Sequence, residues 1–346
     1  MWVPVFERVV GDDGERRYRV GHVVVDEFLE FMEGRCRANT VRAYAHDLKV
    51  FFSVVGKEPA EVTPRDVLGF VAAQRRPRRG AENVVRISDG EAGLAISTVK
   101  RRLAAVSSLY GYLVVRGDVE ANPVPRGLPT RGTRRAGKRA MPLVRGVRRL
   151  PRILNPREVD ALVSELGTHR DRAMVQAMLL GGLRRCEVLG LRLEDLRLGE
   201  WRVFIDAGKG GHQRIVPVSA TFFATLADYL NDERPAGVAT DRVFVALKGP
   251  RRGQPLSADG LAEVLASARR RAGLAHGTCH ELRHTCLTRL REAGMPIEAV
   301  QAQAGHRSIA STRIYLHLGD DWLADEYRKA CEAVEAQAAV GMAVAR

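Results

Sequence analysis

Residues 121–154 constrain the fold of this 346-residue chain more than any other stretch. Four prolines fall before residue 145, arginines crowd the remainder, and neither strand nor helix periodicity runs through it. A segment with so little to bury reads as an extended linker. The chain is therefore expected to fold as two bodies, one on each side. Its 45% hydrophobic content is enough to give both a core.

Before the linker the pattern is helical. Apolar and charged residues partly alternate around DDG in residues 1–20, which reads as a hairpin extension. Residues 21–120 then carry four helical patterns. The first spans 24–33 with Phe28, Leu29 and Met32. The second is capped by Asn39 or Thr40 and carries Tyr44, Leu48, Phe51 and Phe52. The third opens at Thr63 followed by Pro64, the usual cap-then-proline order. The fourth is capped by Ser97, with Val99, Leu103, Val106 and Tyr110 on one face. A basic run at 74–84, broken by Pro77 and Gly80, leads into a loop reaching about residue 95.

After the linker, Asn155 and Pro156 open a second domain over 155–346. Helices are expected over 156–166, 170–181, 184–191, 220–231, 257–270 and 280–292, with a further Ala- and Glu-rich helix over 320–341. WRVFI and RIVPV read as a β-hairpin around AGKGGH. Gly294 ends one helix, Pro296 begins the next, and His306 follows Gly305 at the end of that one. The fold class is thus mainly α with a small β-hairpin sheet.

The formal net charge of +14 favours a polyanionic partner, although charge alone does not separate DNA, RNA and an anionic membrane surface. No signal peptide and no apolar run long enough to span a bilayer is legible, so the expectation is a cytoplasmic protein without a membrane partner. Five scattered cysteines make a poor disulfide or zinc framework. Cys186 and Cys286 are expected to pack as small hydrophobes.

Six residues form a chemically suggestive set: Arg184, Lys209, His280, Arg283, His306 and Tyr315. Exchange of a phosphodiester needs an in-line nucleophile, charge to offset the pentavalent phosphorane, and a proton for the leaving 5′ oxygen. Arginine forks hold phosphoryl oxygens and stay charged, which suits Arg184 and Arg283. Glu187, about one turn beyond Arg184, is placed to orient its guanidinium. Lys209 sits in a glycine-rich turn and is placed to protonate the leaving oxygen. His280 and Arg283, three apart, share one helical face. His306 can donate to the phosphate or assist the phenol. Tyr315 would be the nucleophile, its proton weakened by a strongly positive pocket. Taken singly, each of these residues reads as ordinary surface, capping or packing chemistry, and the case rests on their joint order.

HELRH over 280–284 also matches the zinc-peptidase pattern, with His280 and His284 as ligands and Glu281 as base. That reading lacks a well-placed third ligand and leaves Tyr315 and the basic charge without a role. His284 reads instead as a structural residue.

GLRRCEVLGLRLEDL, AGKGGHQRIVPV, HELRHTCLTRL and AGHRSIASTRIYLHL together resemble the tyrosine recombinase, or phage integrase, family. The six residues above fall on that family's catalytic positions, over roughly residues 155–320. The N-terminal helices resemble its SAM-like core-binding domain. The resemblance implies a clamp on double-stranded DNA bearing specific recombination sites, and cleavage by Tyr315 through a 3′-phosphotyrosyl link. It implies no metal and no other cofactor. It further implies a homo-tetramer on two duplexes, with the C-terminal helix docking on a neighbouring subunit. Residues 78–95 look like an insertion relative to compact members that resolve chromosome dimers, and the linker is longer. A mobile-element integrase or transposase and a dimer-resolving recombinase are both compatible with this pattern. Other readings are a catalytically silent DNA-binding protein and a topoisomerase of similar chemistry.

Overall fold

The computed structural model describes residues 2–11, 14, 16–75, 93–125, 127, 143–144, 152–206, 213–306, 312, 328 and 331. The basic run beyond Arg75, most of the linker, Lys209, Tyr315 and nearly all of the expected C-terminal helix lie outside the described residues. The chain divides into two compact units, Met1–Arg148 and Arg149–Arg346.

The first unit opens with the hairpin. Strands β1 (Glu7–Val10) and β2 (Arg16–Arg19) pair antiparallel, with Arg8 opposite Tyr18. The hairpin is part of the core, because Tyr18 and Val20 are buried among the helices. Trp2 packs on Phe52 and donates its indole N–H to the Val20 carbonyl. Helices α1 (Val23–Glu33), α2 (Ala38–Val55), α3 (Pro64–Arg75) and α4 (Ile96–Arg116) follow. Each turns its apolar face inward around Phe28, Phe51, Phe52, Phe70 and Tyr110. The Tyr110 hydroxyl donates to the Pro59 carbonyl at 2.8 Å, which satisfies the one polar atom of a buried ring.

Two helix starts differ from expectation. Helix α2 begins after an extended Arg37, so Asn39 and Thr40 lie inside its first turn. Helix α4 begins after Ala95, so Ser97 is internal. In neither case does a side chain cap the helix, and side-chain propensity alone therefore misplaced the boundary. Thr63 does precede α3, and its backbone N–H and hydroxyl donate to Asp66 at 2.9 and 2.7 Å. Within the stretch read as linker, Val124, Leu143 and Val144 pack onto this first core. Isolated apolar residues of that kind carry no period and leave no pattern to read.

The second unit is built around α6 (His169–Leu179), which is buried on nearly all sides. Helix α5 (Pro156–Ser164) starts at a capping box in which Asn155 and Glu158 exchange side-chain and backbone bonds of 2.9 and 2.8 Å. The N-terminus of α6 is held by Thr168 and by the Glu233 carboxylate, which accepts from the His169 and Arg170 amides. Helix α7 (Arg185–Gly190) leads into a three-stranded antiparallel sheet of β3 (Leu196–Arg197), β4 (Arg202–Ile205) and β5 (Arg214–Pro217). Val203 lies opposite Val216, and both face the core. Helices α8 (Ala220–Asp228), α9 (Ala258–Arg271), α10 (Cys279–Glu292) and α11 (Ile297–Ala304) complete the unit. Helix α8 continues into a wider turn at Tyr229–Glu233, and Pro296 serves as the N-cap of α11. Helices α8 and α10 pack on α6, and α11 packs on α10.

Cys286 is buried, but Cys186 is exposed, contrary to expectation. Helix α7 has only six residues, and its buried side is taken by Glu187 and Val188. Among the described residues no helix is long and apolar enough to cross a membrane.

Candidate active site

Three short pieces of backbone bring the site together. The first is the turn after α6. Gly182 has φ +66°, and a Cβ there would stand 3.2 Å from Leu287 on α10. A residue without a side chain thus lets the chain turn tightly against α10 and deliver Arg184 to the start of α7. The second is the first half of α10, which opens at a capping box. Thr278 accepts from the Glu281 amide, while the Glu281 carboxylate accepts from Thr278 and Gly277 at 2.7 and 2.9 Å. The third is the end of α11, where Gly305 at φ +59° stops the helix and turns the chain to His306.

The arginines converge on that third piece. Arg283 is 3% exposed and donates to the carbonyls of Gly182 and Ala304, the latter at 2.6 Å. Its Nη2 also lies 3.3 Å from His306 Nε2. Arg184 donates to the Gly305 carbonyl at 3.1 Å and to Glu187 Oε1 at 2.7 Å. Glu187 in turn accepts from the Arg184 backbone amide at 2.8 Å. Two guanidinium groups from α7 and α10 therefore bind adjacent carbonyls at the negative end of α11.

His306 sits in this positive surrounding. Burial, and then Arg283, Arg184 and Arg214, pull its ring down to about 4. The ring is neutral near pH 7. Arginine only donates, so Nε2 facing Arg283 is the acceptor and Nδ1 carries the hydrogen, donated to Thr312 Oγ1 at 3.0 Å. Thr312 is fully buried. The backbone carbonyl of His306 accepts from Gln301 at 3.0 Å.

His280 and His284 stand one turn apart on α10, with their Nε2 atoms 2.8 Å apart and their rings nearly perpendicular. Only one hydrogen fits between two nitrogens at that distance. His284 is pulled down to about 4 by burial, His280 and Arg283. The third element of the HELRH metal reading, Glu281, is committed to closing the first turn of its own helix. Among the described residues no third His, Cys, Asp or Glu joins the two histidines. The donor set thus does not fit a peptidase zinc site.

Of the six residues singled out from the sequence, Arg184, His280, Arg283 and His306 are described and occupy one region of the second unit. Lys209 and Tyr315 lie outside the described residues, Lys209 between β4 and β5 and Tyr315 three positions beyond Thr312. Three contributors were not singled out: Arg214, Gln303 and Thr312. Arg214 left a signal. It precedes Val216 by two on β5, so alternation puts a charged residue on the strand's inward face. Gln303 and Thr312 left none, since both are ordinary residues in amphipathic stretches.

Residues 152–321 match the model of the phage integrase family, and residues 25–117 match its N-terminal SAM-like domain. Among curated proteins, a tyrosine recombinase XerC of Pelotomaculum thermopropionicum is 31% identical, the match covering 89% of this chain and 97% of that protein. A tyrosine recombinase XerD of Listeria monocytogenes is 28% identical over 88% of this chain and 97% of its own length. Among solved structures, the Tn1549 transposon integrase in complex with transposon right-end DNA aligns with a TM-score of 0.66 at 16% identity, covering 89% of this chain and 98% of that one. XerH recombinase bound to a palindromic difH substrate aligns with a TM-score of 0.62 at 20% identity, covering 88% and 84%. At these identities the two structures speak to the fold.

Proposed function

This chain belongs to the phage integrase family of tyrosine recombinases, and from that premise we propose how its residues divide the work of site-specific DNA recombination. The observation that carries the reading is the convergence of Arg184, Arg283 and neutral His306 on the end of α11. The two arginines donate to carbonyl oxygens there, and a phosphate oxygen is a stronger acceptor of the same kind.

In the proposed reaction the Tyr315 phenol oxygen attacks the scissile phosphorus in line. The Oη–P bond forms, the P–O5′ bond breaks, and Lys209 gives its proton to the departing 5′ oxygen. Arg184 and Arg283 hold the non-bridging oxygens as charge builds on them. His280, its Nε2 engaged with His284, presents its other ring nitrogen as a donor. His306 Nε2, the acceptor atom of the neutral ring, is suited to take the phenol proton once Arg283 turns from it to the phosphate. A 5′-hydroxyl from the partner strand then reverses the step, and the phosphodiester energy is retained throughout. Neither a metal nor another cofactor enters. Assembly as a homo-tetramer on two duplexes, with residues 320–346 docking on a neighbouring subunit, belongs to the same proposal. So does a role as a mobile-element integrase or transposase, or as a dimer-resolving recombinase.

The test is covalent capture of DNA. Full-length protein is incubated with nicked or phosphorothiolate-trapped DNA from beside the gene, then denatured and resolved on a gel. The wild-type chain should form an adduct that survives chelator, and Tyr315→Phe should form none while binding DNA with similar affinity. An undiminished adduct in Tyr315→Phe would remove the nucleophile assignment.

A further inference from the structure

The Glu187 carboxylate is fully enclosed, its side chain 0% exposed, and two arginines share it. Arg184 contributes one guanidinium bond and its backbone amide. Arg214, from β5, takes both oxygens as a fork, Nη1 to Oε1 at 3.0 Å and Nη2 to Oε2 at 2.9 Å. Arg214 also reaches the Gln303 carbonyl through Nε at 3.4 Å. Its guanidinium lies so close over Gly305 that a Cβ there would stand 3.0 Å from Cζ and Nε. Gln303 donates to the carbonyls of Gly181 and Pro217 and closes the same knot. One side chain thus joins strand β5, the carboxylate that holds Arg184, and the helix end that presents His306.

Charge gives the arrangement a second consequence. Glu187 and Arg184 alone would sum to zero and leave the phosphate little to bind. With Arg214 the group sums to +1 while the enclosed carboxylate stays compensated, even when Arg184 turns toward a phosphate oxygen. A buried carboxylate that loses one of its partners is strongly unfavourable, so the second arginine lets the first be shared.

We propose that Arg214 is a positioning residue for strand cleavage: by gripping Glu187 from the opposite side it aims the Arg184 guanidinium at the scissile phosphate and keeps its positive charge available there. This rests on the reading of Arg184 as a phosphate-binding residue. Arg214 itself touches Glu187 and backbone, not the reacting atoms.

The test compares full-length wild type, Arg214→Ala, Arg214→Lys and Arg184→Ala on two substrates. One carries a normal scissile phosphate, the other an uncharged methylphosphonate at that position. On the normal substrate at saturating DNA, Arg214→Ala should cut at roughly a hundredth of the wild-type rate, within the range for loss of transition-state charge stabilisation. DNA affinity should stay within about threefold, because one internally paired arginine adds little to overall phosphate binding. Arg214→Lys, which keeps charge but loses the fork, should fall between. On the methylphosphonate the defects of Arg184→Ala and Arg214→Ala should both shrink to less than about tenfold, since no charge then needs to be offset. A purely architectural role would depress both substrates equally, and that result would overturn the proposal. Wild-type cleavage by Arg214→Ala alongside a dead Arg184→Ala would also overturn it, leaving the Arg184 assignment intact. Normal cleavage by Arg184→Ala would instead overturn the underlying site reading. Should Arg214→Ala fail to fold, the lysine variant carries the same comparison.

Discussion

Replacing Glu187 by Gln keeps the shape of the side chain and removes its charge, which isolates what the enclosed carboxylate does for the second unit. In the folded chain Glu187 is drawn down to about 2 from an ordinary 4.5, because the Arg214 fork, the Arg184 amide and both positive charges outweigh the cost of burial. A glutamate whose folded pKa lies below its unfolded one contributes stability that is fully present above about 4.5 and is lost as pH falls toward 2. At ~1.4 kcal/mol per pH unit that contribution is about 3 kcal/mol near neutrality. It agrees in size with the roughly 3–5 kcal/mol seen when one partner of a buried ion pair is removed. By pH 3.5 the linked part should have fallen to about 2 kcal/mol. Glu187→Gln should therefore be less stable than wild type by about 3 kcal/mol at pH 7, with the gap narrowing by about 1 kcal/mol at pH 3.5. Hydrogen exchange resolved to peptides over α7, β5 and α11 reads this unit separately from the first. Parallel pH dependence in the two proteins would refute the argument, because it would mean that Glu187 titrates alike folded and unfolded.

Two further outcomes follow from the same region. His284 and His306, both drawn down to about 4 by burial and neighbouring cations, stay neutral when folded and take up protons when unfolded between about 6.5 and 4. His306 faces Arg283, Arg184, Arg214 and Glu187, whereas His284 faces His280, Arg283, His306 and Glu281. Wild-type stability should thus rise with pH through that window, and His306→Gln should flatten part of the rise in urea titrations at pH 5 and 7; an unchanged slope would remove His306 as a contributor. Gly305→Ala should cost about 1–2 kcal/mol for the left-handed backbone alone, and should also push the Arg214 guanidinium off its seat. Its strand-cleavage rate should fall further than that of Gly294→Ala, another left-handed glycine with open space around the Cβ position; equal rates would separate the α11 terminus from the chemistry.

The sequence by itself determined a good deal about this protein. Apolar spacing located most helices, and the alternation in WRVFI and RIVPV located the β4–β5 hairpin, because the 3.6 and 2.0 periods are properties of the backbone. The order of Arg184, His280, Arg283 and His306 along the chain marked the candidate site, since a phosphate-handling set must be carried by residue types that are visible as letters. Helix starts without side-chain caps, at Arg37 and Ala95, were not legible, because there the backbone alone makes the boundary. Nor was the exposure of Cys186, which depends on which face of a six-residue helix meets the core. The tertiary structure alone decided the partners: Arg214 opposite Glu187 from 27 positions away, Gln303 bridging Gly181 and Pro217, and three arginines meeting consecutive carbonyls at the end of α11. A buried charge requires a partner, but any arginine in the chain meets that requirement equally well until packing brings one within 3 Å.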